Sequence, residues 1–287
     1  MASGTASAST LTADEVQSLL VQPLGLASVF LAAGPRIFDT PGRTVRVPTL
    51  TSMAAPSWTA ENAPIAEVDP AFGEVVLLPD TMQSLKSLTR FSNELARQSV
   101  ISLDAALQDR MVADVAATLD AQFIGVGGNG TTTPQGLLGF TGTQANAVTG
   151  ALSIDHLHDA QGKLLAAGVD LASTRWVLRP ETFTALRKLK DTSNRYLIEP
   201  DVTAANGFQL LGHPVSISKA LPIVTATTSL VLADFSKIAV ARDLAPQVKV
   251  LDQTYGNFDQ LAIRVVARYD AKPLNPEAIV KVTGFTL

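Results

Sequence analysis

Cysteine is absent from the 287 residues, which removes disulfides, thiolate metal sites, iron–sulfur clusters and cysteine nucleophiles together. The compartment stays open, since a chain without thiols fits any redox state. Charged side chains make up only 17%, below the roughly 25% usual for soluble proteins, which suggests surface covered by other subunits. There is no excess of base: 22 Lys and Arg stand against 26 Asp and Glu, a formal charge of -4, which argues against a general nucleic-acid binder. Long apolar runs are missing too. The most apolar early stretch, Leu19 to Ala33, is broken by Gln22 and Pro23 and falls short of the ~20 residues needed to cross a bilayer. No basic residue precedes Arg36, so the stretch lacks the charged start of a secretory signal.

What remains is a chain that is 46% hydrophobic and long enough for one elaborate domain or two interlocked ones, with disorder excluded by its apolar content. Residues 1 to 10 are small and polar and read as a mobile arm. Thr12 and Glu15 have capping-box spacing and predict a short helix to about Val21. Two extended runs, Val45 to Leu50 and Glu74 to Leu78, flank a segment punctuated by Pro48, Pro56, Pro64 and Pro70. Prolines remove ladder donors, so a projecting hairpin with Trp58 near its tip is expected. Phe91 to Ile124 predicts one helix of roughly 48 Å, N-capped by Ser92. Leu103, Leu107, Met111, Val115, Leu119 and Phe123 line one face, with Asp104, Asp109, Arg110, Asp114 and Asp120 on opposing polar faces.

After a Gly/Thr-rich linker to Gly150, Ser153 caps a helix stopped by Gly168, Arg175 to Leu178 reads as a strand, and Pro180 and Glu181 open a helix to about Asp191. Strand-like runs follow at His213 to Ser218, Ser229 to Ala233, Ile238 to Ala241, Gln247 to Leu251, Gln260 to Tyr269 and Ala278 to Thr283. Helices followed by six β-runs predict an α+β fold, not the βαβ alternation of a doubly wound enzyme.

The chemistry-bearing motifs are thin. Gly125, Gly127 and Gly130 match G-x-G-x-x-G, but a helix precedes them and Thr131-Thr132-Thr133-Pro134 follows, the reverse of the strand-then-helix context a dinucleotide needs. A helix stop is the expected role. His156 and His158 are two apart on a helix and cannot share a metal; with His213 they are the only histidines, and no carboxylate cluster has ligand spacing, so neither metal nor cofactor is expected. No G-x-S-x-G elbow or other local nucleophile signature occurs, although a triad assembled by the fold stays open. The segment Leu189 to Leu197 reads either as an active-site loop or as a turn with Asn194 left-handed before a strand.

The order of motifs carries more than any one of them. The run begins with Trp58-Thr59-Ala60-Glu61, Asp69-Pro70-Ala71-Phe72-Gly73-Glu74-Val75, Phe91-Ser92-Asn93-Glu94-Leu95 and Pro134-Gln135-Gly136-Leu137. It continues through Trp176-Val177-Leu178-Arg179-Pro180, Leu189-Lys190-Asp191, Arg195-Tyr196-Leu197, Leu211-Gly212-His213-Pro214-Val215, Ala233-Asp234-Phe235-Ser236 and the Arg264 to Asp270 strand. From about residue 12 onward this resembles the major capsid protein of tailed bacteriophages with the Hong Kong 97-type fold.

The resemblance implies a structural, non-catalytic subunit of an icosahedral virion shell, divided into four parts. These are an N-terminal arm (1–40), an extended loop (41–90), a peripheral domain (91–130 and 246–272) and an axial domain (131–245 and 273–287). It also implies pentamers and hexamers of the chain itself, double-stranded DNA enclosed without sequence recognition, a portal, a separate scaffolding protein, a decoration protein in some shells, and assembly in the bacterial cytoplasm. Trp58, Glu61, Phe72, Asp191 and Arg195 are the expected inter-subunit contacts. Some members of the family weld their shells with lysine–asparagine isopeptide bonds. Here no lysine precedes Lys86 and the strand Phe258 to Arg268 has no glutamate, so a non-covalent shell is expected. An encapsulin-like compartment shell and a soluble α+β enzyme are the alternative readings.

Overall fold

A computed structural model describes residues 28–52, 58–60, 62, 69–94, 103–190, 193–198, 209–223, 227–251 and 253–286. The expected helix from Thr12 lies outside them. The chain builds two principal sheets, a hairpin and a few helices, the α+β composition expected.

The four-stranded sheet is ordered β1-β10-β11-β4, from β1 (Arg36–Asp39), β10 (Ile238–Leu251), β11 (Gln260–Pro273) and β4 (Leu85–Ser92). One face is apolar because β11 alternates, sending Ile263, Val265 and Ala267 inward. Against that face lies α2 (Leu103–Ile124), whose Met111, Val115, Leu119 and Phe123 are all buried. The turn α1 (Val29–Ala32) adds Phe30, stacked 5.0 Å from Phe123 and 5.7 Å from Phe235.

The six-stranded sheet is ordered β5-β12-β9-β6-β8-β7. Its strands are β5 (Gln144–Ala151), β6 (Thr174–Leu178), β7 (Gln209–Leu210), β8 (His213–Ile217), β9 (Thr227–Asp234) and β12 (Ile279–Thr286). Helices α3 (Ile154–Ala166) and α4 (Pro180–Arg187) share a core with it around Trp176, whose indole N–H donates to the Leu210 carbonyl at 3.1 Å. The remaining hairpin pairs β2 (Val45–Ser52) with β3 (Ala71–Leu77).

Several expectations are corrected. Phe91 and Ser92 end β4, paired with Leu261 and Gln260, and helical backbone begins at Asn93, directly after Ser92; the stretch Leu103–Ile124 is about 33 Å long. Asp120 sits on the buried stripe of α2, not on a polar face. The runs at Ile238 and Gln247 are one strand, interrupted by register shifts around Asp243 and between Leu244 and Gln247. The helix after Pro180 stops at Arg187. The last part of the linker before Gly150, from Gln144 onward, is strand β5.

Candidate assembly surfaces and the clamps beneath them

The hairpin has two unlike faces, fixed by strand alternation. Val45, Val47, Val75 and Leu77 share one face and pack on Ala239 and Ala241 of β10 with Leu78 and Met82. The other face carries Arg46, Pro48, Leu50, Phe72, Glu74 and Val76. There Leu50 stands directly opposite Phe72, 53% and 74% exposed, beside an Arg46–Glu74 ion pair at 3.3 Å. Trp58, beyond the strand, is fully exposed. Two of the expected contact residues, Trp58 and Phe72, therefore present bare aromatic area on this hairpin, whereas Glu61 lies outside the described residues.

Three groups on the sheet hold the root of this hairpin. Arg268 pairs with Asp243 at 2.9 Å, with 16% and 10% of the two side chains exposed, and donates to the Met82 and Pro79 carbonyls, both at 3.2 Å. Asp243 is available because the irregularity in β10 displaces it from the ladder. Asp270 is fully buried and accepts from the Leu78 and Ala271 amides, each at 2.9 Å. Burial raises its carboxyl above the usual carboxylate range, against the opposing pull of those amides. Leu78 needs the bond, since its φ of 52° places a bulky residue in the left-handed region.

A fourth group holds the start of the described chain. The Asp120 carboxyl accepts from Ser28 Oγ at 2.7 Å, from the Val29 amide at 2.8 Å and from the Phe30 amide at 3.2 Å. The sequence carries a faint sign of these groups: Asp120 interrupts the apolar stripe of α2, and Asp270 interrupts the apolar run of β11. Their partners lie 92 and 192 residues away, beyond any local pattern.

A separate surface is formed by the turn after α4. Asn194 has φ of 63°, Lys190 bridges Tyr196 with its ammonium 4.9 Å from the ring centroid, and the Leu197 amide donates to the Leu189 carbonyl at 2.9 Å. This is the turn reading of the segment. Arg195, Tyr196 and Leu197 are exposed along it, and Asp191 lies outside the described residues.

The chemical motifs resolve into structural roles. No group of three or more metal-ligating side chains occurs among the described residues. His156 Nδ1 accepts from the Ser153 amide at 3.1 Å, capping α3. His213 is buried against Thr174 Oγ1 at 3.0 Å, and burial lowers its pKa. The glycine run turns the chain after α2: a Cβ at Gly128 would collide with the Pro134 carbonyl, and one at Gly136 with the Gly125 carbonyl. Close approach of backbone to backbone explains these glycines.

Known proteins resemble the chain over nearly its whole length. The capsid of a native GTA particle superposes with a TM-score of 0.73 at 20% identity, over 90% of each chain. The Mycobacterium phage Bobi structure gives 0.71 at 17% identity, again over 90% of each. The major capsid protein of Klebsiella oxytoca phage phiKO2 is 24% identical over 299 residues, covering 96% of this chain and 68% of the relative. The model of the phage capsid family matches residues 9–284. A shared fold, a family match across the sequence and a projecting hairpin with bare aromatic area lead to one conclusion: the chain belongs to the phage capsid family, as a major capsid protein that builds the shell.

Proposed function

We propose that the subunit tiles a Hong Kong 97-type icosahedral shell in the four parts named above: arm, extended loop, peripheral domain with α2, and axial domain around the six-stranded sheet. The observation that carries this reading is the two-faced hairpin, clamped at its root and apolar at its far end. Leu50, Phe72 and Trp58 contribute about 1.5–3 kcal/mol each when fully buried, small per contact but repeated around every ring of pentamers and hexamers. Arg195 on the turn after α4 is a second contact, with Glu61 and Asp191 as further ones.

The shell is non-covalent and the subunit has no catalytic activity of its own. It encloses double-stranded DNA, assembles in the bacterial cytoplasm, and uses a separate scaffold and a portal, with a decoration protein where one is present. Purified protein viewed by electron microscopy is expected to show closed shells; a compact monomer at high concentration sinks the proposal. On denaturing gels, mature particles are expected to run at the subunit mass of 30.2 kDa. A ladder of multimers overturns the non-covalent assignment alone.

A further inference from the structure

Charge is segregated in this chain. From residue 47 to residue 85 the sequence has five acids, Glu61, Glu67, Asp69, Glu74 and Asp80, and no lysine, arginine or histidine; Arg46, just before this stretch, pairs with Glu74, so the acidic excess rests on the other four. The opposite charge collects on the four-stranded sheet, on the face turned away from α2. Register places Leu88, Arg264 and Lys249 in one row across β4, β11 and β10, with Lys86 beside Val266 in the next row and Arg90 beside Ala262 on the other side. Directly opposed residues on neighbouring strands sit about 5 Å apart, so the four cations form one patch.

All four are exposed, and none has an acidic side chain within ion-pair distance among the described residues; Arg90 lies over the Tyr255 ring, 5.1 Å from its centroid. Of the nearby acids, Asp243 is tied to Arg268 and Asp259 accepts from Asn93. The chain's own hairpin covers only the other end of this face, where its root packs on Ala239 and Ala241. A cationic surface with Leu88 at its centre is thus left bare on a protein of net charge -4.

We infer that this patch, formed by Lys86, Arg90, Lys249 and Arg264, receives the acidic hairpin of a second copy and seals the shell by ionic contact. The inference rests on the shell reading above and adds its chemistry. Like-charged hairpins repel one another, so each is steered to the cationic face of another copy, and Leu88 gives the hairpin's apolar residues a place to bury. Contacts of this kind are screened by salt, which an apolar or covalent seal would not be.

Two charge reversals in the full-length chain test it. Lys249→Glu with Arg264→Glu, and separately Glu67→Lys with Asp69→Lys, are each expected to give at least tenfold fewer shells by electron microscopy and light scattering. All four substitutions together are expected to restore them. The parent shells are expected to dissociate more readily as salt is raised. Circular dichroism and melting confirm that each variant folds; should a reversal fail to fold, the neutral pair Lys249→Gln with Arg264→Gln takes its place and is expected to weaken assembly. Normal assembly of a folded basic-face variant overturns the pairing, as does failure of the combined reversal to restore shells. Loss of duplex DNA binding in the neutral variant, with assembly unchanged, assigns the patch to nucleic acid and overturns it as well. A parent chain that forms no shells removes the shell reading, and the pairing with it.

Discussion

Single carboxyl groups decide how the extremities of this subunit are held. Asp120 gathers Ser28, Val29 and Phe30, which seats the Phe30 ring between Phe123 and Phe235. Asp120→Ala leaves buried donors without an acceptor and is expected to cost about 2–3 kcal/mol, read as a lower urea midpoint at unchanged slope. Asp270 behaves differently because its pKa is raised by burial. The folded state then holds its proton more tightly than the unfolded chain, so stability falls as pH rises through the window just above the usual carboxylate range. Urea midpoints of the parent and Asp270→Asn across that window are expected to show the parent losing ground as pH rises; parallel curves would refute the assignment. Asn194 was readable beforehand, since asparagine tolerates the positive φ that its turn requires, whereas Leu78 at φ 52° was not. Only a partner distant in sequence makes that conformation tolerable.

The hairpin depends on what sits under it. Arg268→Met strands Asp243, which is largely buried, and frees the Pro79 and Met82 carbonyls; the expected cost is about 3–5 kcal/mol. Adding Asp243→Leu is expected to recover much of that loss in denaturant titrations, because the uncompensated charge goes with it. Element boundaries were legible where punctuation is local, as at Ser153 and Gly168 around α3 and at Pro180 opening α4. They failed where tertiary pairing decides. The helix expected from Phe91 loses its first two residues, because β11 recruits Phe91 and Ser92 into β4 and helical backbone begins only at Asn93. Strand β5 was missed because Val148 is its only fully buried residue, too little for an alternating signal. The exposed aromatics of the hairpin were legible from prolines and composition; the Arg268, Asp243 and Asp270 clamp was not, because it joins segments 25 to 192 residues apart.

Across the whole molecule, the two tryptophans report on opposite conditions. Trp176 is already buried in the isolated subunit, while Trp58 is bare. Assembly is therefore expected to shift the emission to the blue through Trp58, and Trp58→Phe is expected to remove the shift; unchanged emission on forming shells would take Trp58 out of the interface. The two sheets meet through very short joints. Strand β9 ends at Asp234 and β10 begins at Ile238, while β11 ends at Pro273 and β12 begins at Ile279. Residues of both sheets, Val231 and Ile279 on one side and Val240 and Ile263 on the other, also share one apolar cluster with α2. A body coupled this way transmits force instead of flexing at its waist: load on either half is handed to the other, and the strain of a change in curvature falls on the edges where copies meet.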